Sequence, residues 1–92
     1  MEDSGREMPR YRCHKEVWAL KIKAVNYDRE QAATQFPSAE IWPEESGYAP
    51  IRVDSEFVRK HDPKAGMYFV VYNDGYRSAS PAKAFEEGYT RI

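Results

Sequence analysis

Cys13-His14 and His61-Asp62 bring together the chain's one thiol, both of its imidazoles and a carboxylate, the groups best suited to hold a metal or attack an electrophile. A structural zinc site takes four ligands at spacings such as CxxC, and one cysteine with two histidines falls short of that set. A thiol nucleophile needs its base within hydrogen-bond reach. Neighbours on an extended strand point to opposite faces, so Cys13 and His14 cannot pair in that conformation. Cys13 reads as an inert small hydrophobe, and the histidines as surface or helix-end groups. Glu44-Glu45 and Glu86-Glu87 are adjacent carboxylates without the separation across a cleft that acid-base catalysis requires. The five glycines are scattered, each explained by a turn, and form no phosphate-cradling loop. The residues name no reaction, no metal and no cofactor, and a non-enzymatic protein is the expectation.

A second set of residues suits binding. Tyr11, Tyr68, Tyr72, Tyr76 and Tyr89, with Arg10, Arg12 and Arg77, combine aromatic faces with guanidinium groups. Such a set stacks nucleobases and holds phosphates, or equally forms a protein interface, where Tyr and Arg give large contact area at low entropy cost. Core and hairpin packing accounts for most of these tyrosines first. The candidate binding residues are Tyr68, Tyr72, Tyr76, Arg77, Tyr89 and Arg12.

The elements that must position them are clearest in the last third of the chain. Met67–Tyr72 is an aromatic and β-branched run, Asn73-Asp74-Gly75 is a turn, and Tyr76–Ala79 is a second extended run. The turn closes either as type I over Asn73-Asp74 with left-handed Gly75, or as a two-residue type I′ loop at Asp74-Gly75. Met67, Phe69 and Val71 face one way and Tyr68, Val70 and Tyr72 the other, so the strand has no polar face. A strand of that kind is central and covered on both sides. Ser80 as cap, Pro81 at the first helical position and Gly88 as a left-handed stop predict a closing helix of about two turns.

Upstream, Glu16–Val25 alternates as a strand, with Trp18, Leu20, Ile22 and Ala24 on one face and Lys21 and Lys23 on the other. A helix is the runner-up, since Trp18, Ile22 and Val25 also align at a 3.6-residue period. Asn26–Pro37 reads as loop, with one or two helical turns over Asp28–Thr34 as an alternative. Ala39–Trp42 is short and extended, Glu44–Gly47 a charged turn, and Tyr48–Val53 a strand with Pro50 near its start. Asp54 or Ser55 caps a helix through His61, with Glu56 in its first turn and Arg59, Lys60 and His61 in its last, matching the helix dipole. Asp62-Pro63 ends it.

The 92 residues make a single domain with a thin core, because a chain this short hides only about 60–65% of its unfolded surface. Residues 1–9 form a flexible tail and residues 10–92 the domain. A net charge of −1 gives no general attraction to phosphate backbones or anionic membranes. Residues 1–27, 28–56 and 57–92 carry +2, −5 and +2, and the acidic middle reads as solvated surface or as a match for a basic partner. One cysteine allows no intrachain disulfide, and no apolar run approaches the ~20 residues that span a bilayer. With no apolar stretch in Met1–Arg10 to serve as a signal peptide, a soluble cytoplasmic protein is expected.

The blocks Tyr11–Ile22 (YRCHKEVWALKI), Gly47–Pro50, Tyr68–Tyr76 (YFVVYNDGY) and Ser80–Tyr89 (SPAKAFEEGY) resemble a group of small uncharacterised proteins encoded by tailed phages and prophages. The likeness covers about residues 10–92, with the first and last blocks specific and residues 26–46 not distinctive. It implies a setting, the cytoplasm of a bacterial host, and no catalytic residue. The fold expected is a small α+β domain: an antiparallel sheet of about four or five strands, able to curl into a partly open barrel, with two short helices. The function expected is a phage accessory protein that binds a host or phage protein, with capture of a small nucleotide or nucleic acid as the alternative. Self-association into a homo-oligomer is compatible with either.

Overall fold

The computed structural model describes residues 8–12, 16–28 and 37–92. In chain order the elements are β1 (Arg10–Arg12), β2 (Glu16–Tyr27), β3 (Ala39–Pro43), β4 (Ile51–Val53), α1 (Ser55–His61), β5 (Tyr68–Val71), β6 (Arg77–Ser80), α2 (Ala82–Gly88) and β7 (Thr90–Arg91). Cys13 and His14 lie outside the described residues, as does most of the segment where helical turns were considered, Asp28–Thr34.

All strand pairings are antiparallel, and the long β2 is the trunk. Trp18–Lys21 pairs with β5 on one edge, and β6 adds beyond β5. The opposite edge is shared. β1 takes Glu16–Trp18, with β7 beyond it, and β3 takes Ile22–Tyr27, with β4 beyond. Strands β2–β6 curl into an antiparallel half-barrel, the small α+β architecture that the sequence led us to expect.

A register shift between Ile22 and Ala24 makes one end of β2 lean toward β3. The extra residue of a bulge reverses the alternation beyond it. Ile22 and Val25 therefore pack into the same cluster, and Ala24 does not join Trp18, Leu20 and Ile22 on one face as strict alternation predicts.

Alternation along β5 splits its side chains between two cores. Phe69 joins Ile22 of β2, Ala39 and Ile41 of β3 and Val53 of β4, and Val58 of α1 closes that cluster. Tyr68 and Val70 join Val17 and Ala19, and Phe85 of α2 closes the other. Each helix is only seven residues long and marginal in water alone, so its buried side chain must hold it to the sheet. The prediction of a central strand covered on both faces is met by β5.

Local chemistry explains the boundaries. Asp54 Oδ1 accepts from the Phe57 N–H at 2.9 Å, and left-handed Asp62 (φ 46°) ends α1 by donating to the Val58 carbonyl. Gly75 N–H donates to the Tyr72 carbonyl and Tyr72 N–H to that of Tyr76, both at 2.9 Å, with Gly75 at φ 89°. Among the described non-glycine residues only Asp62 has positive φ, which selects the type I turn over Asn73-Asp74 and discards the type I′ alternative.

Three expectations for α2 are corrected: Ser80 as its cap, Pro81 at its first helical position and Gly88 as a left-handed stop. Ser80 does not cap it: Ser80 is the last residue of β6, paired with Tyr68, and extended Pro81 precedes the helix with no side-chain cap. Gly88 is helical and not left-handed, because the chain leaves through extended Tyr89 to lay β7 against β1. The expected strand Tyr48–Val53 shortens to Ile51–Val53, since Pro50 has no N–H to give a ladder. Met8 and Pro9, placed at the end of the expected tail, already pack: Met8 lies against the Ile22 cluster, and the Pro9 carbonyl accepts from Ala19 N–H at 2.9 Å. No helix among the described residues is long and apolar enough to cross a membrane.

Candidate functional site

The tight β5–β6 turn fixes where Tyr76 and Arg77 emerge, and α1 runs back toward the same spot. Tyr76 is 45% exposed, and its Oη lies 3.4 Å from His61 Nε2. Lys60 Nζ is 5.3 Å from the centre of the Tyr76 ring, and the Tyr72 ring is 5.9 Å away, tilted by 34°. The His61 ring in turn lies 4.7 Å from that of Phe57, tilted by 46°, and Phe57 lies against Phe69 of the core. Burial first, and then the neighbouring Lys60 ammonium, lower the His61 pKa below its usual value. A neutral imidazole can accept from the Tyr76 hydroxyl, so the patch is held from both sides of the sheet end.

Arg77 points across the mouth of the half-barrel. Strands β4 and β6 are its two ends, each paired on one edge only, and Arg77 Nη2 donates to the Arg52 carbonyl at 2.9 Å. Its guanidinium carbon lies 5.1 Å from the centre of the Phe69 ring, a cation–π contact that holds the group against the core. Beside this bridge is an open cavity of about 300 Å³, lined by Ser38, Arg52, Val53, Asp54 and Arg77.

Tyr68 and Tyr89 sit on the other face. Tyr68 is 7% exposed, stacks at 4.4 Å on Phe85, and donates its hydroxyl to Glu86 at 2.8 Å. Tyr89 stacks on the same Phe85 at 4.7 Å and 14°. Arg12 lies on β1, with its side chain outside the described residues. The five candidates with described side chains therefore divide: Tyr76 and Arg77 meet α1 and the barrel mouth, Tyr68 and Tyr89 pack under α2, and Tyr72 reaches the Tyr76 ring from the α2 side.

No family model, no curated protein and no solved structure matches this chain. Among the described residues no group of three or more His, Cys, Asp or Glu side chains is arranged to hold a metal. Other large exposed aromatics are Tyr27 and Trp42, at the outer parts of β2 and β3.

Sequence reasoning did not single out Lys60, Arg52, Ser38 or Asp54 as site residues. Arg52 and Arg77 are 25 residues apart and meet only because the sheet curls, a contact for which no local pattern exists. For Lys60 a signal was available: it occupies the basic last turn of α1, and that turn had to end near the strand it covers.

Proposed function

We propose that this chain is a non-catalytic module that binds another protein, acting as a phage or prophage accessory factor in a bacterial cell, through the patch formed by Tyr76, Lys60, His61 and Arg77. The observation that carries the reading is the half-exposed Tyr76, backed by a hydrogen-bonded turn, with the Lys60 ammonium near its ring and the His61 imidazole at its hydroxyl. An aromatic anchor held in place before binding loses little entropy on association and gives a large contact, the usual makeup of an interface hot spot.

Capture of a nucleotide fits the same residues less well. Base stacking needs open aromatic faces. Tyr68 and Tyr89 spend theirs on Phe85, while Lys60 and Tyr72 approach the Tyr76 ring. The cavity of about 300 Å³ also sits at the lower end of small-molecule sites.

The test is a pull-down from bacterial host extract, followed by titration of the captured protein with purified wild type and Tyr76→Ala. The expected outcome is stoichiometric capture by wild type and at least about a tenfold loss of affinity in the variant, the ~1.4 kcal/mol or more of a hot-spot residue. A nucleotide retained at one equivalent in the native mass spectrum, with protein capture unchanged by Tyr76→Ala, would overturn the reading.

A further inference from the structure

We propose that the cavity at the mouth of the half-barrel is a receptor for one carboxylate, presented by an acidic side chain of the protein partner, with Arg77 as the recognising group. This rests on the protein-binding reading above and adds the chemistry by which the partner is chosen.

Arg77 differs from the other arginines with described side chains. Arg10, Arg52, Arg59 and Arg91 each have a carboxylate within 4.0 Å, namely Glu16, Asp28, Glu56 and Glu45. Among the described residues Arg77 has none. It is nevertheless held, by the Arg52 carbonyl on one side and the Phe69 ring on another. A guanidinium has five N–H donors, and the bond to Arg52 uses one, so a two-pronged edge remains for a bidentate acceptor. The group is oriented before any ligand arrives, so little further ordering is needed on binding.

The cavity walls define the charge and size of what fits. Asp54 also lines it, and its Oδ1 is committed to the Phe57 N–H, so a carboxylate of the protein stands near the incoming anion. A monoanion tolerates that neighbour better than a dianionic phosphate does. Val53 offers an apolar wall for methylene groups. A volume of about 300 Å³ accepts a glutamate or aspartate side chain. Half-exposed Tyr76 immediately precedes Arg77, so one partner surface can reach both.

The experiment follows the Arg77 Nε–Hε signal of the full chain by NMR while N-acetylglutamate N-methylamide is added, and separately inorganic phosphate. The expected result is a saturable shift with a dissociation constant on the order of millimolar for the glutamate probe, and weaker binding of phosphate. Arg77→Lys, followed together with wild type through the backbone N–H signals of Val53 and residue 77, keeps the charge but loses the fork, and should weaken the probe about fivefold or more. Asp54→Asn retains a capping side chain while removing the repelling charge, and should tighten it. No saturable shift, tighter binding of phosphate, or equal binding by Arg77→Lys each overturns the inference. So does a captured partner that Arg77→Gln binds as tightly as wild type; loss of that partner in Tyr76→Ala alone leaves the protein-binding reading standing without it.

Discussion

The rings of Tyr68 on β5 and Phe85 on α2 stack with centroids 4.4 Å apart and planes within 23°, and this contact ties the closing helix to the centre of the sheet. Phe85 is 2% exposed, and Tyr89 covers its ring at 4.7 Å. Phe85→Ala should therefore cost about 3–5 kcal/mol, a large part of the ~5–15 kcal/mol that a small domain has. Tyr68→Phe keeps the stack and removes only the hydroxyl that Glu86 accepts, for about 0.5–1.5 kcal/mol. Urea unfolding of both variants ranks them. An equal or smaller loss for Phe85→Ala would mean that something other than this stack holds α2.

Gly75 tests the turn. Its φ is 89°, and a β-carbon built there meets nothing within 4 Å, so the cost of a side chain is backbone strain alone and not collision. Gly75→Val should lower stability by about 1–2 kcal/mol, and Gly75→Asn by distinctly less, because Asn enters the left-handed region more easily. Thermal melting of the two variants reads this order; the reverse order contradicts the type I turn with a left-handed fourth residue.

Asp54 has a separable structural role as the cap of α1. Asp54→Ala leaves the Phe57 N–H without its acceptor and should cost about 1 kcal/mol, whereas Asp54→Asn should be close to neutral. Chemical denaturation of the pair checks this. Similar losses in both would point to the charge, and not the cap, as the stabilising feature.

Strand β5 was legible because its two apolar faces demand cover on both sides, and α1 because a cap, a first-turn acid and last-turn bases mark its ends. The type of turn at Gly75 was narrowed to two forms by residue preference, and only the φ of Asp74 separates them. The bulge after Ile22 leaves no mark in a Lys-Ile-Lys-Ala alternation, since it is set by how β3 meets a bending β2. Ser80 had the chemistry of a cap and lost that role to the ladder with Tyr68. For the site, period-two alternation places Tyr68 and Val70 together but says nothing about which helix lands on them. That is why the five candidates with described side chains, chosen by residue type, fall on two faces, and why the Arg52–Arg77 bridge had no trace in the sequence.

His61 makes the Tyr76 patch sensitive to acid. Burial and the Lys60 ammonium hold its pKa below the ordinary 6.5, so as pH falls the unfolded chain takes up the proton before the folded one does. The stability contributed by the neutral ring is fully present above pH 6.5 and is lost as pH drops from there through the lower folded-state value. Protonation also leaves Nε2 able only to donate towards the Tyr76 hydroxyl and sets a second cation beside Lys60. The effect is modest, because the ring is partly exposed and water screens the charge. His61→Gln keeps an acceptor but does not titrate. Melting temperatures of wild type and His61→Gln, compared at intervals from pH 8 to about pH 5, should show wild type losing ground only below the ordinary histidine value. Parallel curves would mean that the imidazole titrates alike in the folded and unfolded chains, and that Tyr76 is held in place without it.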